Sequence, residues 1–201
     1  MIIVWTNRAW LIILAILGTI ITFLFILTYI SVKVLAPFPQ AICGKTIVID
    51  PGHGGADPGA TGRSGLMEKD IVLDISLRLA DLFNRTAVYT ILTRDTDGGL
   101  IEPGAHSNGA RVGLDLEGRV GLAARHDADI FISIHANSFP EPVWSGAQTF
   151  YHNKSKEGKA LAISIQKELV SRLGPNVRKA KTGDDYFVLR KSTMPAVIVE
   201  V

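Results

Sequence analysis

The sequence predicts an α/β fold: a twisted, mainly parallel central sheet with helices on both faces, preceded by one N-terminal transmembrane helix. Three observations predict it. Short β-branched runs alternate with longer runs whose apolar residues recur at helical spacing. The run ADIFISI is apolar almost without interruption, as expected of a strand covered on both faces. Residues Ala9 to Val32 carry no charge, and a bilayer-spanning helix needs about 20 apolar residues.

The elements follow in order. The apolar N-terminal run is too long for a secretory signal core, and Pro37 follows the first alanine after it, a poor cleavage context. We therefore read residues 1–36 as an anchor with its flanks and 37–44, PFPQAICG, as a linker. Residues 45–201 form the remaining domain. KTIVID is its first strand, EKDIVLDISLRLADLF a helix with Ile71, Ile75, Leu79 and Leu82 on one face, and AVYTILTR the second strand. The polar, glycine-rich DTDGGLIEPGAHSNGARVGLD reads as a long surface loop and LEGRVGLAARHD as a short helix. ADIFISIHAN and SGAQTFYH are strands, SKEGKALAISIQKELVSRL is an amphipathic helix stopped by Gly174-Pro175, DYFVLR is a short strand candidate and PAVIVEV the last strand. The chain stops inside that apolar strand, and the expectation is an incomplete domain.

Charge and cysteine content exclude whole classes of function. Lys and Arg number 21 and Asp and Glu 19, and residues 1–40 hold Arg8 and Lys33 but no acid. Residues 41–201 are therefore formally neutral, with no basic face for nucleic acid. Arg8 and the amino terminus favour a cytoplasmic start and Lys33 weakens that bias; the expectation is a domain on the extracytoplasmic side of the cell membrane. A single cysteine, Cys43, excludes an internal disulfide and a thiolate-rich zinc site.

The first strand runs into a glycine-crowded segment, DPGHGGADPG. A dinucleotide loop fails there, because Asp57 stands where the third glycine of G-x-G-x-x-G is needed and would repel a pyrophosphate. GKT at 44–46 fails as a P-loop, since Pro39 replaces the first glycine and a strand follows. A metal site fits better. Two histidines and one glutamate are a known zinc set that leaves a position open. His53 follows the first strand, His135 ends ADIFISI, and parallel strands bring both to one sheet edge. Glu68 opens the helix that can turn toward that edge. Glycines 52, 54 and 55 allow a sharp bend and leave room for substrate.

Glu200 sits in AVIVEV, where a lone buried carboxylate costs several kcal/mol. Zinc brings bound water to a pKa of about 7, so a nearby glutamate is a competent general base. Each residue alone has a plainer reading: a turn anchor for His53, a core histidine for His135, a helix-dipole carboxylate for Glu68, a terminal surface residue for Glu200. His106, His126 and His152 read as loop or surface histidines. No H-E-x-x-H pattern occurs, which argues against the commonest zinc peptidases.

With these residues assembled, the sequence resembles the zinc-dependent N-acetylmuramoyl-L-alanine amidases of the AmiC-like (amidase 3) family. The matching pieces are IVIDPGHGGADPGA, EKDIVLDISLRLADLF, VYTILTRDTD, GRVGLAARHDADIFISIHANS, SGAQTFYH and PAVIVEV, in the family's order. The resemblance implies Zn2+ held by His53, Glu68 and His135, and Glu200 as the catalytic glutamate. It implies hydrolysis of the amide between N-acetylmuramic acid and L-alanine in peptidoglycan. Asn137 would orient substrate or serve as a turn residue. Whether an activating protein partner is needed stays open. The short anchor and the AKTGDDYFVLRKSTMPAVIVEV end resemble membrane-anchored spore-cortex amidases, which prepare muramic acid for the δ-lactam; a vegetative wall amidase is the neighbouring reading. The alternative from another class is a non-catalytic, membrane-anchored wall-binding module.

Overall fold

The computed structural model describes residues 7–34, 42–100, 108–137, 146–174 and 176–201. The chain forms two compact units, residues 1–41 and 42–201. In the first, helix α1 spans Asn7–Val34. Its stretch Arg8–Thr28 is long and apolar enough to cross a membrane. Thr19, Thr22 and Thr28 return their hydroxyls to carbonyls one turn back, which removes the cost of a polar group on an apolar helix.

The second unit is built on a sheet of order β2-β1-β3-β6-β4-β5. The strands are β1 (Thr46–Pro51), β2 (Tyr89–Leu92), β3 (Ile130–His135), β4 (Gln148–Tyr151), β5 (Lys181–Thr182) and β6 (Ala196–Glu200). Neighbours β2, β1, β3 and β6 are mutually parallel, and β4 runs antiparallel to β6. The sheet is thus mainly parallel, as the sequence predicts. Helices α2 (Glu68–Asn84) and α4 (Lys156–Arg172) cover one face; α3 (Asn108–Arg125) and α5 (Phe187–Lys191) cover the other. The first face packs Ile47, Ile49, Ile132, Ile134, Val197 and Val199 against Val72, Ala80 and Ala162. The second packs Val48, Phe131, Ala196 and Ile198 against Val120, Ala123, Val188 and Leu189. Successive strand residues serve opposite faces, so a run that reads as uniformly apolar fills two cores at once.

Two expectations are corrected. DYFVLR holds no strand: residues 187–191 are α5. The edge of β4 is already taken by Lys181 and Thr182, a pair too short and polar to read as a strand. The segment after it satisfies its backbone locally, with Arg190 N–H donating to Tyr186 O and Ser192 N–H to Val188 O. The helix expected from Leu116 begins at Asn108 instead. Gly109 and Gly113 look like breakers, but the turn is braced by Asp115, which accepts from Leu100 N–H and from Arg119 one helical turn on. The rest of the long loop, with His106, lies outside the described residues, as do residues 35–36 of the expected anchor and 37–41 of the expected linker.

Candidate metal centre and active site

The parallel strands β1 and β3 pair Pro51 with Ile134, and β3 and β6 pair His135 with Glu200. The register therefore delivers the end of β1, His135 and Glu200 to one carboxyl edge. Met67 caps α2 in extended conformation, so Glu68 is the first helical residue and its side chain turns back over that edge.

Three side chains converge there. Glu68 Oε1 lies 3.2 Å from His53 Nε2 and 3.2 Å from His135 Nδ1. One potential ligand atom from each residue falls within 4.8 Å of the others. The two histidine rings meet edge to face, with centroids 4.8 Å apart. Bonds of 2.0–2.1 Å in a tetrahedral zinc site set ligand atoms roughly 3.3 Å apart, so the donor set fits such an ion. Glu68 is buried at 7% exposure, and its remaining acceptor capacity is met by Ala60 N–H and Ala136 N–H at 2.9 Å. Burial works to raise its pKa, but hydrogen bonds to His135 and His53, reinforced by the two amides, hold it far below the usual carboxylate range. It is an anion here, as a ligand must be.

His53 adopts φ 60, the left-handed region that non-glycine residues seldom occupy. The loop around it fixes that conformation. Gly54 and Asp57 exchange backbone hydrogen bonds, and Asp57 Oδ2 lies 2.8 Å from His53 Nδ1. A carboxylate on the distal nitrogen sets the tautomer and leaves Nε2 free as a donor of electrons. Burial lowers the pKa of His53, yet hydrogen bonds to Glu68 and Asp57 outweigh it and raise the value above 6.5. Gly52 is required by close approach: a Cβ there would lie 2.4 Å from His135 Cε1. At Gly59, with φ +65, a Cβ would lie 2.7 Å from both Glu68 Oε2 and His53 Cδ2.

Glu200 lies in register beside His135 at the end of β6. Burial raises its pKa; the Glu68 carboxylate adds to the rise, while His135 and His53 oppose it. A raised carboxyl is better matched to proton transfer near neutral pH than an ordinary one. Asn137 is adjacent, its N–H donating to Val201 O. His126 is exposed and His152 accepts from Lys154 N–H; neither joins the site. A cleft of about 510 Å³ opens beside the histidines, floored by Asp50, Ser133 and Ile198 and walled by Leu116, Tyr186 and Phe187.

Sequence reasoning missed Asp57 and a buried polar network beneath the site. Asp50, at 2% exposure, accepts from Thr93 at 2.6 Å, Ser133 at 2.7 Å and Arg119 at 2.7 Å. The signal was present: Asp50 ends an apolar strand just as Glu200 does, and an acid in such a run demands a partner.

A mainly parallel α/β sheet thus carries two histidines and two glutamates at its carboxyl edge, and His53, Glu68 and His135 form a group that could hold a metal ion. Residues 47–201 match the N-acetylmuramoyl-L-alanine amidase family (Amidase_3), and the chain belongs to that family. It is 38% identical over 182 residues to the germination-specific N-acetylmuramoyl-L-alanine amidase of Bacillus subtilis, covering 90% of this chain and 76% of that one. Among solved structures it resembles the CwlD amidase from Clostridioides difficile in complex with the GerS lipoprotein, with a TM-score of 0.74 and 36% identity over 78% of this chain and 81% of that one. AmiC2 of Nostoc punctiforme, also an N-acetylmuramoyl-L-alanine amidase, superposes with a TM-score of 0.66 at 37% identity, covering 79% of each chain. The chain is a peptidoglycan amidase that cleaves the bond between N-acetylmuramic acid and L-alanine.

Proposed function

We propose that this amidase is zinc-dependent, with His53, Glu68 and His135 as the ligands and Glu200 as the proton carrier. The observation that supports it is the convergence of two imidazole nitrogens on one buried carboxylate oxygen at 3.2 Å each. Bound there, zinc would polarise the scissile carbonyl and acidify water. The chain's own residues do the rest. Asp57 holds His53 in the right tautomer, and Gly52 leaves His135 the space to face Glu68. Glu200 takes a proton from the attacking water and delivers it to the nitrogen of the leaving L-alanine amine, so the amide breaks into a lactyl carboxylate and a free peptide.

Residues 1–36 would then anchor the enzyme and 37–44 link it to a catalytic domain over 45–201, on the extracytoplasmic side where peptidoglycan lies. The apolar stretch Arg8–Thr28 supports a span. Likeness to a germination-specific amidase supports a role in the spore cortex, and the lipoprotein held by the Clostridioides difficile CwlD amidase supports a protein partner.

The test is the purified full chain beside Glu200→Gln, with zinc content and muropeptide products measured by mass spectrometry. Both proteins should retain zinc, and only the parent should release free stem peptide, the variant losing about 10²–10⁴-fold in kcat. Absence of zinc from the active parent would overturn the ligand assignment.

A further inference from the structure

Three consecutive backbone carbonyls lead into the His53 turn, and two buried arginines bind all of them. Arg94 is 7% exposed and Arg119 3%. Arg94 Nε donates to Pro51 O at 3.0 Å, and its Nη2 donates to Gly52 O at 2.7 Å. Arg119 Nη1 donates to Pro51 O at 2.8 Å, and its Nη2 donates to His53 O at 2.6 Å. Each guanidinium also has a second attachment. Arg94 Nη2 donates to Lys69 O at 2.9 Å, in the first turn of α2. Arg119 reaches Asp50 and Asp115.

We propose that Arg94 and Arg119 are positioning residues that set the spacing of the metal-binding side chains, acting through the backbone of residues 51–53. The reading rests on the proposed zinc site. Arg94 bridges Gly52 O to Lys69 O, so one planar group ties the carrier of His53 to the carrier of Glu68. Gly52 in turn sits against the His135 ring, where even a Cβ would lie 2.4 Å from Cε1. The position of this short segment therefore sets all three donors. Arg119 pins the His53 carbonyl directly and so holds the left-handed φ 60 turn, which nothing in the residue's own preference favours.

The chemistry explains why arginine stands at both positions. The task is to donate several hydrogen bonds in fixed directions to carbonyls on separate segments. Guanidinium has five donors in a rigid fork, whereas an ammonium is a point charge with rotatable donors. Two cations buried so close repel, and burial and Arg119 together lower the pKa of Arg94 while Asp50 opposes this. A purely structural brace would be served by neutral residues; this one spends its donors on the backbone that carries the ligands.

The experiment uses the full chain with Arg94→Lys, Arg119→Lys and, as a control, Phe131→Leu, which trims a fully buried ring in the core under α3 and α5. Zinc affinity is measured by chelator competition, coordination by the visible spectrum of the Co2+-loaded protein, and folding by thermal melting. The expected result is a loss of about 10–100-fold in zinc affinity for each arginine variant, the range for groups that orient ligands, with an altered Co2+ spectrum. Phe131→Leu should lower the melting temperature and leave affinity and spectrum as in the parent. Arginine variants with parental affinity and spectrum would overturn the clamp while leaving the metal site standing. The same holds if Phe131→Leu weakens zinc as much at equal loss of melting temperature. If Arg119→Lys fails to fold, Arg94→Lys decides the matter alone, since it bears the His53–Glu68 bridge. A parent that binds no zinc overturns the metal reading and the clamp with it.

Discussion

Under α2 and α4 the strands present Ile47, Ile49, Ile132, Ile134, Val197 and Val199, all buried and all aliphatic. Under α3 and α5 the same strands begin alike, with Val48, Phe131 and Ala196. They then turn polar toward their carboxyl ends, with Asp50 opposite Ser133 one step on and His135 opposite Glu200 after that. The faces differ by a shift of one residue along each strand, since alternate side chains point to opposite sides. The comparison shows how an α/β enzyme separates its needs. One face excludes water and supplies stability through area. The other trades apolar area for charges that must all be paired, and it does so only where the strand ends meet the ligand edge.

The largest expected effect follows from breaking a pairing on the polar face. Asp50→Ala removes the more deeply buried of the two carboxylates paired with Arg119, leaving Asp115, and strips Thr93 and Ser133 of their acceptor; it should cost about 3–5 kcal/mol. Ile49→Ala, one residue away on the dry face, should cost about 2–5 kcal/mol through lost contacts and a cavity. Urea unfolding measures both. The faces are distinguished by zinc: uptake should weaken in Asp50→Ala, whose Arg119 also holds His53 O, and stay parental in folded Ile49→Ala. Equal weakening in both would mean that the two faces are not separate in function.

A smaller effect is expected with pH. Burial, the largest single influence, would raise the pKa of Asp50, but the charge of Arg119 and the hydrogen bonds from Thr93, Ser133 and Arg119 together outweigh it and hold the carboxyl below its ordinary 3.8. A depressed carboxyl contributes stability that is fully present above its unfolded value and is lost as pH falls through the folded one. In Asp50→Asn that contribution is absent at every pH. The stability gap between parent and Asp50→Asn, followed by urea titration of the metal-free proteins, should therefore be constant above about pH 5 and narrow on acidification. A gap that widens in acid would show that the carboxyl is not held as an anion in the fold.

These contrasts mark what the sequence could and could not disclose. The sheet, its helices and the four residues His53, Glu68, His135 and Glu200 were legible because periodicity and strand ends are local features. The paired carboxylates were only half legible. Glu200 drew attention as an acid in an apolar run, while Asp50, in TIVID, has the same signature but partners 43 to 83 residues away, a distance no local pattern spans. Asp57 was read only as an obstacle to phosphate, and its contact with His53 depends on a φ 60 turn that residue types do not announce. The false strand at DYFVLR and the expectation of α3 only from Leu116 arise because strand pairing and side-chain braces are properties of the assembled sheet.

The smallest effect belongs to the dry face and the far edge. Ser155 caps α4, its Oγ accepting from Gly158 N–H at 3.0 Å. A Cβ on Gly158 would lie 3.2 Å from Ala196 O, so this cap sits against the start of β6, at the opposite end of that strand from Glu200. Ser155→Ala removes one acceptor and should cost about 1 kcal/mol, read as a small fall in melting temperature. Ser155→Asp, which retains an acceptor and suits the positive end of the helix, should recover it. Neither substitution should alter zinc affinity or kcat, because the helix meets the site only through the aliphatic face of the sheet. A change in kcat with Ser155→Ala at unchanged zinc content would break the separation of the two faces, by showing that α4 sets the position of β6 and of Glu200 at its end.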